Sequence, residues 1–245
     1  MQRASQKPTQ RDRAEQTRKA ILTAAIQEFS AHGLSGARTD AIAETAGANK
    51  ALLYYYFKSK KDLYDAAVKE VSGKVVEDAL AALDPSYSAG ERLLRTALNH
   101  FDRILTKREF QSLMQQEMIR FGREVKSGVP LIVQTVFQPL MEKLMETIRE
   151  GIRTHELCKM DPLQVMNSIF GANVFYFLSA PMVESALPFK PLDPDALRLR
   201  REMAVEFLGT ALFTDRTRGA RLAKRVLAAT PMPSIQKFQL WRKQA

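Results

Sequence analysis

One cysteine, one tryptophan and three histidines in 245 residues remove several classes of protein at once. Cys158 alone cannot build an internal disulfide framework, and this suits a reducing cytoplasm. His32, His100 and His155 are scattered, so no Ser-His-Asp or Cys-His set can be assigned from spacing. His155 and Cys158 lie three residues apart, but two ligands fall short of the three or four that a zinc site needs. There is no Gly-rich phosphate loop of the nucleotide-binding type. No metal, cofactor or catalytic activity is expected. The longest apolar-rich stretch, Ile169 to Val183, is broken by Gly171, Asn173 and Pro181 and is too short and polar to cross a bilayer. No signal peptide is read ahead of the first helical segment. Runs of alternating apolar and polar residues are missing as well, which excludes strands. An all-α, cytoplasmic protein without membrane contact is the expectation.

Acidic residues are scarce at both ends. Residues 1–61 hold 11 Lys/Arg against 5 Asp/Glu, and residues 215–245 hold 8 against 1. The middle, 62–214, holds 18 against 21, so the net charge of +10 is carried by the termini. A basic segment suits phosphate binding, where counterion release drives affinity. A solvated tail is the plainer reading of any basic run taken by itself, and it stands for the C-terminus.

Residues 36–64, GARTDAIAETAGANKALLYYYFKSKKDLY, change that reading for the N-terminus. Thr39 is placed to N-cap a helix whose apolar face is Ile42, Ala43 and Ala46. Gly47 stops that helix, because glycine most cheaply takes the left-handed conformation beyond a helix end. Asn49 caps a second helix running through Ala51, Leu52, Leu53, Tyr54, Tyr55, Tyr56 and Phe57. Helix, tight turn and helix form the helix-turn-helix pattern, whose second member enters the DNA major groove. Leu53 and Phe57, four apart, should point inward. Three consecutive tyrosines cannot all face one side of a helix.

Thr39, Ile42, Ala43, Ala46, Gly47, Leu53, Tyr54, Phe57, Ser59, Lys60 and Leu63 resemble the N-terminal signature of TetR/AcrR-type transcriptional regulators. That signature runs Thr-x-x-Ile-Ala-x-x-Ala-Gly, then Leu-Tyr-x-x-Phe-x-Ser-Lys-x-x-Leu, and covers the first quarter of the chain. The sequence departs from it at Asp40, Asn49 and Leu52. The resemblance implies DNA contacts at Thr39, Asn49, Lys50, Ala51, Leu52, Tyr54, Tyr55, Tyr56 and Lys60. Lys50 has the chemistry to reach a guanine edge or a phosphate, and Leu52 to pack on a thymine methyl. Thr39, Tyr54, Tyr56 and Lys60 have the chemistry to hold phosphates and set the register.

Helical periodicity continues throughout. Residues 1–10 read as a disordered basic arm, and 11–61 as the helix-turn-helix domain. Residues 62–213 read as a helical regulatory and dimerisation domain, and 214–245 as a basic tail. Asp62 to Leu83 is one long helix. Five more follow: Ala89 to Thr106, Arg108 to Arg123, Val129 to His155 with a kink or local break at Pro139, Pro162 to Leu187, and Pro194 to Phe213. About nine helices result, which matches the architecture of the resembled family.

In that family the helical domain holds an inducer pocket and a four-helix dimer seam. Phe101, Met114, Met118, Phe121, Phe137 and Phe170, with Glu117, Gln134 and Asn173 as fixed polar groups, are the candidate ligand-binding residues. Plain core packing is the rival reading for the apolar members. Such a lining suits a hydrophobic or weakly cationic molecule. The last two helices are apolar on more than one face, which calls for burial on more than one side. Val165, Ile169, Tyr176, Met203, Phe207 and Ala211 are the candidate dimer residues.

The functional expectation is a homodimeric repressor, released from a palindromic double-stranded operator by a small-molecule inducer. The rival is a helical protein that uses its basic surface for membrane or RNA.

Overall fold

The computed structural model describes residues 9–123 and 133–234. The chain divides into two compact units, residues 1–74 with 109–135, and residues 75–108 with 136–245. Every regular element is helical: α1 (Gln10–Gly36), α2 (Thr39–Thr45), α3 (Lys50–Tyr56), α4 (Lys60–Ala82), α5 (Ala89–Thr106), α6 (Arg108–Arg123), a π-helical turn (Val133–Phe137), α7 (Gln138–Arg153), α8 (Pro162–Ala186), α9 (Pro194–Ala211) and α10 (Arg216–Ala229). Ten α-helices, one more than expected, are seen among the described residues. The local break expected at Pro139 falls where α7 starts, since proline fits the first turn, where no intrahelical N–H is needed.

The first unit is built from local signals. Thr9 and Asp12 form a reciprocal capping box that starts α1. Gly33, at φ 68° and ψ 179°, breaks α1 one turn before its end. Ile21, Ala25 and Phe29 of α1 and Leu63 and Tyr64 of α4 are buried, and the Tyr64 ring meets Phe29 edge-on at 5.0 Å. Ser30 and α6 are joined by side-chain hydrogen bonds, including Gln116 Nε2 to the Ser30 carbonyl at 2.9 Å.

In the second unit, α5 is the central element and is buried along most of its length. It packs with α7, α8, α9 and α10 around Leu93, Leu94, Leu98, Leu144, Ile148, Val205 and Leu222. A second cluster joins Phe101, Ile104 and Leu105 to Phe177 and Leu197.

The segment expected to be a solvated basic tail instead forms α10, docked through Leu222, Ala223 and Val226. Its apolar side is spent on the core, so it offers no amphipathic face to a membrane. Arg225 donates to the Glu91 carboxylate at 2.6 Å, and Arg218 lies 3.6 Å from Glu156. Residues 235–245, with Phe238, Leu240 and Trp241, lie outside the described residues, as do residues 1–8 of the expected arm.

The reason α10 docks is a glycine crossing. A Cβ on Gly219 would fall inside the van der Waals radius of the Gly209 carbonyl oxygen, and one on Gly209 would sit 2.7 Å from the Gly219 carbonyl. Gly219→Ala is expected to cost about 1–3 kcal/mol through overpacking. Gly73→Ala in α4, where a Cβ meets nothing within 4 Å, should instead stabilise by roughly 0.5–1 kcal/mol. Urea denaturation of the two variants should give shifts of opposite sign, and equal shifts would contradict the crossing.

Candidate functional site

The helix-turn-helix is assembled much as its residues imply. Asn49 has extended backbone and its carboxamide oxygen accepts from the Leu52 amide at 2.8 Å, capping α3. Gly47 takes φ 63°, in the left-handed region that ends α2. Leu53 is fully buried and Phe57 nearly so, and Arg18 of α1 lies over the Phe57 ring at 5.4 Å. These inward anchors fix the rotation of α3 and therefore the face it leaves free.

One cap differs from expectation. Arg38, not Thr39, is the N-cap of α2 and makes no side-chain cap bond. Its backbone N–H is taken by the Glu28 carboxylate at 2.9 Å, so the Thr39 hydroxyl is not needed for capping. That hydroxyl lies 3.5 Å from the Tyr54 hydroxyl, between α2 and α3.

Asn49, Lys50, Ala51, Tyr54 and Tyr55 are exposed, Tyr55 at 78%, while Thr39, Leu52, Tyr56 and Lys60 are half-buried. The structure therefore holds all nine expected DNA residues in one unit, none of them fully buried. Two lysines are partly engaged. Lys50 pairs with Asp40 at 2.9 Å, and that bond raises the lysine pKa. Lys60 donates to the Ser35 carbonyl at 3.3 Å. Beside Tyr56 lies a surface hollow of about 360 Å³ lined by Arg11, Ala14, Arg18 and the acidic pair Asp12 and Glu15. The two arginines had no motif to mark them; only the folded proximity of α1 to α3 places them there.

The expected ligand-binding set is divided between the two units, with Met114, Met118 and Gln134 in the first and Phe101, Phe137, Phe170 and Asn173 in the second. Met118 is 63% exposed and Gln134 is exposed, so neither lines an enclosed site; both stand on outward helix faces. Phe101 is core, packed on Phe177 at 5.1 Å, and Met114 is buried in the first unit. Phe137 is half-buried. The side chains of Glu117 and Phe121 lie outside the described residues. Phe170 and Asn173 do meet, through His100: the imidazole stands edge-on to Phe170 at 4.7 Å and receives Asn173 at 3.3 Å.

The expected dimer set also divides. Val165 and Ile169 are buried in the core of their own chain, since they fall on the side of α8 that faces α5 and α7, and neither is free for a second subunit. Tyr176 is half-buried and donates to the Pro191 carbonyl at 2.6 Å. Ala211 is exposed, and Met203 and Phe207 are 47% and 68% exposed. Phe175, Leu178 and Met182 on α8 and Leu199 on α9, which periodicity did not single out, are exposed beside them.

A helix-turn-helix with a free α3, followed by a larger helical body with no strand among its described residues, defines a DNA-binding transcriptional regulator. Residues 21–67 match the model of bacterial regulatory proteins of the tetR family, and residues 90–208 match the tetracyclin repressor-like C-terminal domain. The HTH-type transcriptional regulator RutR of Escherichia coli K12 is 30% identical over 171 residues, 69% of this chain and 77% of RutR. The HTH-type transcriptional repressor SCO4008 of Streptomyces coelicolor is 39% identical over 83 residues, 33% of this chain and 42% of its own. Among solved structures, a transcriptional regulator from Saccharomonospora viridis in complex with choline shares the fold, at TM-score 0.63, 18% identity, and 81% and 98% coverage. The chain belongs to the tetR family of transcriptional regulators and is not an enzyme. Among the described residues no helix is long and apolar enough to cross a membrane.

Loss of the α3 cap is directly measurable. Asn49→Ala should cost about 1 kcal/mol in denaturant unfolding, and Asn49→Ser only a few tenths. Equal losses would show that the Asn49 bond to Leu52 contributes nothing.

Proposed function

We propose that the protein is a homodimeric repressor, acting in the cytoplasm, that leaves a palindromic operator when a small molecule binds its second unit. The observation that carries this reading is the outward apolar stripe of α8 and α9. Phe175, Leu178 and Met182 recur at three- and four-residue spacing on α8, and Leu199, Met203 and Phe207 at four-residue spacing on α9. All six are between 47% and 75% exposed. The two helices are neighbours, since Arg200 of α9 donates to the Ala172 carbonyl of α8 at 3.2 Å and lies over the Tyr176 ring. Six large exposed apolar side chains on two neighbouring helices are the kind of surface that marks an association site. A second copy of the same stripe is self-complementary about a two-fold axis.

A two-fold dimer presents two α3 helices, and two half-sites must then lie about 34–36 Å apart or a multiple of that. Lys50, Ala51 and Leu52 supply base contacts, and Thr39, Tyr54, Tyr55, Tyr56 and Lys60 the backbone contacts that set register. Arg11 and Arg18 join the phosphate-binding set through the hollow beside Tyr56. The link to ligand is α4. It starts at Lys60, three residues after the α3 C-cap Phe57, and its far end brings Ala79 and Leu83 to a small cavity under α5 and α7. A ligand that binds the DNA-incompetent arrangement more tightly shifts the population towards it, and only by that difference in affinity. The names of relatives support a regulatory role, and the choline-bound structure of the Saccharomonospora viridis protein supports ligand binding by this fold.

Phe207→Glu tests the assembly. Because Phe207 is exposed in the single chain, the variant should keep its far-ultraviolet circular dichroism and its unfolding transition as a subunit. A carboxylate buried without a partner in an apolar seam is costly, so sedimentation should show monomer where the parent protein shows dimer. Affinity for promoter DNA flanking its own gene should fall at least about tenfold, as one half-site replaces two. A parent protein that sediments as a folded monomer at micromolar concentration would overturn the proposal.

A further inference from the structure

Two side-chain bridges cross from the first turn of α2 to α3. The Thr39 hydroxyl meets the Tyr54 hydroxyl at 3.5 Å, and the Lys50 ammonium straddles the Asp40 carboxylate, 2.9 Å from Oδ1 and 3.2 Å from Oδ2. Adjacent residues of α2 thus reach positions one turn apart on α3, so Asp40 lies along the side of α3 that carries Lys50 and Tyr54. Lys50 is the one charged residue of α3, and Asp40 is one of the three departures from the family signature. Both are open to solvent, with the Asp40 and Lys50 side chains 61% and 52% exposed.

Stability does not account for this ion pair. A pair so exposed is weakened by solvent and adds little to folding, while it costs both side chains freedom. Packing does not require it either, because the approach of α3 to α2 is already set by Gly47 at φ 63°, the Asn49 cap and the buried Leu53. Phosphate binding alone is poorly served by it. A carboxylate on a DNA-facing edge repels the backbone and occupies the lysine that would neutralise it.

A base edge gives the carboxylate a use. Nζ carries three protons and the carboxylate takes at most two, which leaves one for an outside acceptor; the carboxylate oxygens keep lone pairs for an outside donor. The pair therefore offers an acceptor beside a donor. In the major groove a C·G pair shows the complementary order, the cytosine N4 amino group beside the O6 and N7 acceptors of guanine. An A·T pair also has an amino donor, on adenine N6, but N7 and O4 stand as single acceptors on either side of it, where guanine offers two together. We propose that Asp40 is a specificity-determining residue that accepts from cytosine N4–H, while Lys50, aligned by Asp40, donates to the O6/N7 edge of the paired guanine. The proposal rests on the operator-binding reading above, and of the two roles open to Lys50 it selects the base edge over the phosphate.

In vitro selection of duplexes from a random pool by the full chain supplies the sites, and fluorescence anisotropy at one salt concentration supplies the affinities. The parent protein should select half-sites with one fixed C·G pair, and exchanging that pair for A·T or T·A should weaken binding about tenfold. N4-methylcytosine at the same position keeps the Watson–Crick pair but blocks the groove-facing N4–H, and should weaken binding to a similar extent. Asp40→Ala should keep its far-ultraviolet circular dichroism, because the pair adds little to folding. It should lose the N4-methyl effect and reduce the preference for C·G to about twofold. If Asp40→Ala instead binds every duplex more tightly by one common factor and keeps the parent preference, the carboxylate is a mask on Lys50 and the proposal falls. Indifference of the parent protein to N4-methylation would overturn it equally. A parent protein that selects no sequence removes the operator-binding reading and this one with it. An inverted repeat selected alike by the parent and by Asp40→Ala removes only the role of Asp40.

Discussion

The second unit depends on one buried ion pair. Arg201 is 4% exposed, and its guanidinium grips the Asp102 carboxylate through Nε at 2.7 Å and NH2 at 2.8 Å, while NH2 also donates to the Thr230 carbonyl at 2.9 Å. The one side chain thus ties α9 to α5 and to the chain just past α10. Removing one partner of such a pair typically costs about 3–5 kcal/mol, because the other charge stays buried and unmatched. Its structural consequence is rotational. With Arg201 held inward, Leu197, Val205 and Leu208 turn to the core, and Leu199, Met203 and Phe207 must face out. The exposed apolar stripe is what remains of α9 once that pair is made.

The same logic of fixed insides and free outsides governs the first unit. Leu53 and Phe57 anchor α3, Asn49 caps it, and Gly47 sets its direction after α2. Their work is to leave Lys50, Ala51, Tyr54 and Tyr55 exposed on a rigid helix. The anchor Leu53 and the exposed side chains thus lie on different faces of one seven-residue element, with its other fixings just outside it.

How legible these features were in the sequence follows from the range of the interactions behind them. Caps, glycine stops and four-residue spacing act within a few residues, so α2, the turn and α3 could be read directly, and α5 and α6 have the expected bounds. Thr39 misled because its rival for the α2 terminus, Glu28, lies ten residues from Arg38 and competes only in the fold. In α8 the apolar residues surround the helix, so periodicity could not tell Val165 and Ile169, which face the core, from Phe175 and Met182, which do not. The docking of α10 rests on Gly209 meeting Gly219, a contact between two helices that no local pattern encodes. Asn173 stood out as a polar residue among aromatics, but its partner His100 is 73 residues away, and only the fold brings them together.

The central claim is that two α3 helices act together from one two-fold assembly. Hydroxyl-radical footprinting on promoter DNA flanking the gene measures this directly. The account predicts two protected patches of equal strength, related by inverted symmetry, with centres about 34–36 Å apart along the duplex or a multiple of that. A single patch, or two patches arranged as a direct repeat, would contradict it.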